Sequence, residues 1–328
     1  MEKYDLIIIG GSAAATAAGI YAVRRNLNFK MISKDFGGEV ATSGEVDNYP
    51  GLPDSNGIEL AEKFRKHLSD YGVEPELGVE VEKIEKLEDG TFCLTAKKDG
   101  SSMAGDKVPA LRSSEEAKKC DYVAKAVIVT TGVHPRELNV PGEKELRNKG
   151  VSYCSVCDLP LFNGKVVAII GGGNSALEAG IMGADIASKV YMINKNPAFK
   201  GDQILMDNLM KSKNVEVIYN AKTTEISGEG FVSGLKYKNQ DGQEQELKVE
   251  GVFIHIGMLP NSNLVSAEVE KTSFGEIVVS KNCETNISGL FAAGDVTDVP
   301  FKQIVISAGQ GTCALLQAVN YLNRLKSV

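Results

Sequence analysis

An α/β fold made of two βαβ units is what this 328-residue sequence predicts, and three observations carry the prediction. The first is length, since a chain of this size exceeds one ordinary core and suits two α/β domains. The other two are copies of one pattern: a short β-branched strand runs into glycines and small residues and then into a helical stretch. One copy occupies Lys3 to Arg25 and the other Val166 to about Ser188.

In the first copy Leu6-Ile7-Ile8-Ile9 reads as a buried strand and Ala13 to Arg25 as its helix. In the second, Val166-Val167-Ala168-Ile169-Ile170 is the strand, followed by Gly171-Gly172-Gly173-Asn174-Ser175-Ala176. In such Rossmann-like dinucleotide-binding turns one glycine permits the tight turn, one admits the backbone to a pyrophosphate, and a third small residue lets helix and strand pack. The helix start then offers unpaired N–H groups to phosphate. Gly171, Gly173 and Ala176 fit this spacing fully. In the first copy Gly10 fits, Ser12 replaces the middle glycine, Ala13 opens the helix and Ala15 takes the third place. A lone fingerprint of this kind is a weak signal, whereas two in one chain, each after a strand, are strong.

Composition narrows the partners. The formal charge of -7 and the lack of a Lys/Arg-rich block argue against nucleic acid. Leu6 to Val23 carries no charge over 18 positions, the length at which a membrane span is considered. Gly10, Gly11, Ser12, Thr16 and Gly19 dilute it, so strand, turn and helix are expected and no membrane partner. Glu2 and Asp5 offset Lys3 and no cleavage site follows, which makes the cytoplasm the expected compartment. Of the six cysteines, Cys93, Cys120, Cys154, Cys157, Cys283 and Cys313, one pair is closely spaced. That is no secreted framework, and His67, His134 and His255 stand too far apart to complete a zinc site, so no metal is expected.

Other segments punctuate the chain. Gly37-Gly38-Glu39 and Glu45-Val46-Asp47-Asn48-Tyr49-Pro50-Gly51 follow the first unit, and Ala126 to Val129 forms a strand ending in Thr130-Thr131-Gly132. Near the C-terminus Gly289-Leu290-Phe291-Ala292-Ala293-Gly294-Asp295 places an acid after a short apolar strand, suited to accept a ligand hydroxyl or to cap a helix. Lys97 to Lys119 reads as an enlarged polar hairpin loop, with Cys120 beyond it as a bystander. Cys154-Ser155-Val156-Cys157, followed by Asp158, is the chemical centre. Two thiols at this spacing can close a small disulfide ring, and a nearby helix start lowers a thiol's pKa. Alone, such a pair serves redox chemistry, metal binding or neither.

Taken in order, these segments resemble the low-molecular-weight thioredoxin reductase family over nearly the whole chain, and from Asp202 onward also the reductase half of the NADH-dependent alkyl hydroperoxide reductase flavoprotein. The resemblance implies the FAD/NAD(P)-binding fold with the second Rossmann-like domain inserted in the first: a discontinuous FAD domain at 1–133 and 256–328, and a pyridine-nucleotide domain at 134–255 carrying the Cys154–Cys157 disulfide. It implies FAD contacts at Gly10, Ser12, Ala13, Gly37, Gly38, Glu39, Asn48, Val81, Thr131, Gly132, Gly294 and Asp295. Lys302, Gln303 and Ile304 would close over the flavin. The nicotinamide nucleotide would meet Gly171, Gly173, Asn174, Ser175, Ala176, Asn194 and Lys195. By the same resemblance Cys157 faces the flavin, Cys154 attacks the partner's disulfide and Asp158 acts as general acid, though a helix N-cap is its other reading. Electrons would pass from NADPH or NADH through FAD to a thioredoxin-like protein, with the nucleotide domain rotating about turns near Gly132 and Gly257, in a homodimer.

The strand Lys189 to Ile193 ends in Asn194-Lys195-Asn196-Pro197-Ala198-Phe199-Lys200. The arginines that clamp a 2′-phosphate in NADPH-specific members are missing, and so is the acid that would hold the 2′-hydroxyl of NADH. NADPH, NADH and dual use stay open, as does a ferredoxin-fed reductase. The first unit opens at residue 3, so a free-standing reductase serving a separate thioredoxin- or glutaredoxin-like protein is expected.

Overall fold

The computed structural model describes residues 3–43, 45–46, 48–53, 55–98 and 120–326. Most of the expected polar loop, residues 99–119, lies outside the described residues. The chain opens with β1 (Lys3–Ile9), α1 (Ala13–Arg24), β2 (Phe29–Ile32), β3 (Glu45–Val46), β4 (Ser55–Asn56) and α2 (Gly57–Asp70). Then come β5 (Val79–Lys86), β6 (Phe92–Lys98), β7 (Tyr122–Val129) and β8 (Val133–Pro135). The middle holds β9 (Val151–Ser152), α3 (Ser155–Asp158), β10 (Val166–Gly171), α4 (Asn174–Ile186), β11 (Lys189–Ile193), α5 (Gln203–Leu209) and β12 (Val215–Ile218). It continues through β13 (Lys222–Ser227), β14 (Gly234–Lys238), β15 (Glu244–Leu247), β16 (Gly251–His255) and β17 (Met258–Pro260). The chain closes with β18 (Leu290–Ala292) and α6 (Ile304–Lys326).

Two compact units result. One comprises Met1–Ser43, Tyr49–His134 and Leu259–Val328, the other Gly44–Asn48 and Pro135–Met258. In the first, the sheet runs β2-β1-β7-β6-β5, with β18 also paired to β7. β1, β2, β7 and β18 are parallel, while β5 and β6 add an antiparallel meander. Strands buried on both faces need apolar side chains at every position, and the period of two then splits them between two cores. Ile7 and Ile9 join Val127 and Val129 in one core, whereas Leu6 and Ile8 join Ala126 and Ile128 in the other. The second core also takes Ala14, Ala15, Ala18 and Ala22 of α1 and Ala314, Leu315 and Ala318 of α6. These small side chains let the two helices lie close. At Gly311 even a Cβ would strike the carbonyl oxygen of Ala14.

The second unit's sheet, β12-β11-β10-β16-β9, is parallel throughout. Val167 and Ile169 pack on Ala176, Leu177 and Ala179 of α4, while Ala168 and Ile170 face a core shared with the antiparallel β13-β14-β15 sheet through Ile226, Leu235 and Tyr237. Each fingerprint is thus a strand–turn–helix as expected. Among the described residues no helix is long and apolar enough to cross a membrane.

Cys120 is not a bystander. It forms a disulfide with Cys93 of β6, with Cα atoms 5.3 Å apart and the two residues 27 positions apart in sequence. The antiparallel β6–β7 pairing, which sets Cys93 opposite Val123, brings the approach to β7 alongside β6.

Candidate functional site

Parallel strands deliver their carboxyl ends to one edge of a sheet, where ligands of doubly wound folds bind. In the first unit Ile9 and Ala292 are both in register with Val129, so residues 10–12, 130–132 and 293–295 leave the sheet side by side. Gly10 has φ +137, and a side chain there would strike Thr130, whose hydroxyl donates to the Ile9 carbonyl at 2.7 Å. Ser12 sits at the N-cap of α1 but caps nothing. Its hydroxyl instead donates to the Gly37 carbonyl at 2.6 Å, while the Gly37 N–H donates to Gly11 at 2.8 Å. The turn of Gly10, Ser12 and Ala13 and the Gly37-Gly38-Glu39 segment are thereby tied together. The first turn of α1 keeps its N–H groups uncapped by any side chain, with no acid beside them, as a pyrophosphate requires.

At the third strand end, the Asp295 carboxylate accepts from the Ser307 hydroxyl at 2.8 Å. Burial holds Asp295 above the ordinary carboxylate pKa, against the opposing effects of Ser307 and of the Lys302 charge. Lys302 donates to the Thr297 carbonyl at 2.7 Å and pairs with Glu276 at 2.9 Å, and Gln303 and Ile304 lead into α6. The donor set fits FAD: an uncapped helix start for the pyrophosphate and a buried acid for a hydroxyl. Two further predicted residues belong to other segments. The Val81 side chain is buried in the core from β5, and Asn48 falls within the second unit's Gly44–Asn48 segment.

In the second unit Gly171 has φ +149, and a Cβ there would strike the His255 carbonyl. Gly173 differs, because a Cβ on it would meet nothing within 4 Å. The protein's own packing does not need that glycine, whereas a close-lying pyrophosphate would. Like α1, α4 starts without a side-chain cap or an acid in its first turn. Ser175 and Ala176 lie in that turn. Asn174 is tied to Asp202 by two hydrogen bonds, at 2.8 and 2.9 Å. Asn194 is buried: its amide donates to the Ala198 carbonyl at 2.9 Å, and its oxygen accepts the Asn196 N–H at 3.1 Å. Its side chain therefore locks the loop after β11, leaving the exposed Lys195 and Lys200 as that loop's cations.

Cys154 and Cys157 form a disulfide with Cα atoms 5.4 Å apart. Cys154 is the N-cap of α3, and its sulfur accepts the Cys157 N–H at 3.3 Å. Asp158 ends the same turn, so it does not cap this helix. The Ser152 hydroxyl donates to its Oδ2 at 2.5 Å, and Ser152 Oγ accepts the Cys154 N–H at 3.0 Å. One serine thus positions both the first cysteine and the acid. Both cysteines are half-buried, while Val156 between them and Leu161 beyond are exposed apolar side chains. Among the described residues no cluster of His, Cys, Asp and Glu is placed to hold a metal.

Sequence reasoning missed Ser152, Asn261 and Gln310. Asn261 donates to the Thr131 carbonyl at 2.8 Å, its own carbonyl accepts the Thr131 hydroxyl at 2.6 Å, and its N–H bonds Gly132 at 3.0 Å. It clamps the exit from β7, and its place just after β17 was the available signal. Gln310, in α6, accepts the Gly294 N–H at 2.8 Å through its side-chain oxygen.

Comparison with known proteins places this geometry. Residues 4–311 match the model of the pyridine nucleotide-disulphide oxidoreductase family. An alkyl hydroperoxide reductase polypeptide of Escherichia coli (strain K12) is 39% identical over 99% of this chain and 60% of its own length. The chain therefore spans about three fifths of such curated relatives. The crystal structure of thioredoxin reductase from Streptococcus pyogenes MGAS5005 superposes with a TM-score of 0.85 at 32% identity, covering 98% of this chain and 99% of that one. A ferredoxin-flavin thioredoxin reductase from Clostridium acetobutylicum gives 0.52 at 31% identity, with both chains covered in full. With two dinucleotide turns and a paired Cys154–Cys157 in one α/β chain, and a family match across nearly its whole length, the chain belongs to the pyridine nucleotide-disulphide oxidoreductase family.

Proposed function

We propose that the chain is a flavin-dependent disulfide reductase that takes electrons from a reduced nicotinamide nucleotide and delivers them to the disulfide of a thioredoxin-like protein. The observation that carries this reading is the Cys154–Cys157 disulfide, half-buried at the start of α3 beside a Ser152-held acid, in the unit that also bears the open Gly173 turn. The loops at 10–13, 37–39, 131–132 and 294–304 would hold FAD, which would supply the two-electron chemistry that links a nicotinamide to a dithiol. Once the pair is reduced, the Cys154 thiolate attacks the partner disulfide. One partner sulfur joins Cys154 in a mixed disulfide, and the other leaves with a proton from Asp158. Cys157 then displaces the bound partner sulfur, which restores the 154–157 disulfide and frees the partner as a dithiol. Exposed Val156 and Leu161 give that partner an apolar landing surface. The working form in this reading is a cytoplasmic homodimer.

Anaerobic titration of the purified protein with NADH and, separately, NADPH tests the reading, with flavin bleaching as the signal and steady-state reduction of a thioredoxin as the second step. Bleaching by at least one nucleotide and turnover with thioredoxin are expected; no bleaching by either sinks the proposal. A second reading, reduction of a peroxidase system with NADH, draws on the likeness to the Escherichia coli alkyl hydroperoxide reductase. Bleaching by NADH together with failure to reduce any thioredoxin would favour it.

A further inference from the structure

Two cysteines outside the proposed redox centre meet in the first unit. Cys283 lies in the turn before β18 with φ +62, a left-handed conformation that a non-glycine residue adopts at a cost and that marks places held for a reason. Its thiol donates to the carbonyl of Gln310 at 3.6 Å, while the Cys313 thiol, one helical turn on, donates to the carbonyl of Lys281 at 3.7 Å. The bonds run in opposite directions between the same loop and the same turn of α6. The crossed bonds set the two thiols beside each other, near enough for Cys313 to help raise the Cys283 pKa. Cys283 is buried and Cys313 half-buried.

The turn of α6 between them touches two of the loops assigned to FAD. Gln310 Oε1 accepts the Gly294 N–H at 2.8 Å and lies 3.4 Å from the Thr297 hydroxyl that donates to it. Gly311 lies flush on the Ala14 carbonyl, in the first turn of α1. This turn of α6 thus contacts both the α1 turn assigned to the pyrophosphate and the Gly294-Asp295 segment.

We propose that Cys283 and Cys313 are an oxidation site, closed to a disulfide by hydroperoxides, and that closure loosens the hold of this unit on FAD. The consequence for FAD rests on the function proposed above, but the thiol chemistry does not. The hydroperoxide first oxidises the accessible Cys313 thiol to a sulfenic acid and leaves as alcohol, or as water in the case of hydrogen peroxide. The Cys283 thiol then attacks that sulfur, expelling water and forming the S–S bond. Two thiols are oxidised and one peroxide is reduced. Burial and the neighbouring Cys313 push the Cys283 thiol up to about 12, so its attack speeds up with rising pH. Bond formation draws the two sulfurs to ~2 Å and shifts the 310–313 turn against the 281–283 loop, which disturbs the contacts that this turn makes with Gly294 and Ala14.

The test treats the holoprotein with stepwise hydrogen peroxide, blocks remaining thiols with an alkylating agent, maps peptides by mass spectrometry, and follows released FAD by fluorescence. A linked 283–313 peptide is expected, together with roughly tenfold weaker FAD retention that dithiothreitol reverses. Cys313→Ser abolishes both effects while basal turnover stays unchanged. Oxidation of Cys313 with Cys283 still alkylated overturns the site, and a linked peptide with unchanged FAD retention overturns the coupling. Protein purified without FAD contradicts the flavin reading instead, and the linked peptide still decides the thiol chemistry.

Discussion

Ser152, Asp158 and His255 show how single side chains set the second unit's chemistry and its tolerance of acid. Asp158 accepts a hydrogen bond from Ser152, which also receives the Cys154 N–H, so the proposed acid and the proposed nucleophile are held by one hydroxyl. Asp158→Asn keeps the shape but cannot release a proton to the departing partner sulfur. Turnover with a protein disulfide is expected to fall by about 10²-fold, with the rate of flavin bleaching by nicotinamide unchanged in stopped flow. Equal loss in both half-reactions would show that the side chain only supports structure. His255 makes a different prediction. Its Nε2 is buried with no hydrogen-bond partner, and burial pushes its pKa from 6.5 down to about 4. Between those values the unfolded chain binds a proton that the folded chain refuses, so stability falls as pH drops from 6.5 to 4. The full loss is roughly 3 kcal/mol. Urea unfolding at pH 7 and pH 4.5 should show a smaller acid-induced loss for His255→Gln than for the parent protein, and identical losses would refute the assignment.

Elements convert spacing into position, and two glycines separate packing from ligand approach. Gly171 has φ +149 and faces the His255 carbonyl, so Gly171→Ala is expected to destabilise the second unit by about 1–3 kcal/mol. A Cβ on Gly173 meets open space, so Gly173→Ala should leave the melting temperature unchanged yet weaken nicotinamide-nucleotide binding by about tenfold, read by fluorescence titration. A drop in stability without a change in affinity would reverse the assignment. The Cys93–Cys120 disulfide acts on the unfolded chain instead: a loop closed over 27 positions is worth about 3.5 kcal/mol of chain entropy, and Cys120→Ser should lose much of it in urea melts run without reductant. Both strand–turn–helix openings were legible in the sequence because Leu6 to Ile9 and Val166 to Ile170 combine β-branched runs with glycines at fixed offsets, a local signal. The Cys93–Cys120 pair was not, because pairing of distant cysteines follows from the β6–β7 register and not from spacing. The inward role of Asn194 was hidden for a similar reason. A polar residue at a strand end reads as a ligand contact until its partners at Ala198 and Asn196 are seen.

At the scale of the whole molecule, each unit carries its own pair of cores on the two faces of its own sheet, and among the described residues none of these four clusters mixes residues of the two. Separate cores in separate units need not unfold together, since two-state behaviour belongs to single domains. The ligand assignments make this measurable. FAD is assigned to the loops at Gly10, Gly37 and Asp295, all in the first unit, while the nicotinamide nucleotide is assigned to the Gly171–Ala176 turn in the second. A ligand that binds only the folded state stabilises the unit holding it by about 2.7 kcal/mol at a free concentration one hundred times its Kd. Calorimetry is therefore expected to resolve two transitions, with added FAD raising one and a nicotinamide nucleotide raising the other. Running the scan on Gly173→Ala assigns them, because the nucleotide-dependent shift should shrink while the FAD-dependent shift stays. A single transition that both ligands raise equally would mean that the units melt as one cooperative body. The separation of the four cores would then not limit how the chain unfolds.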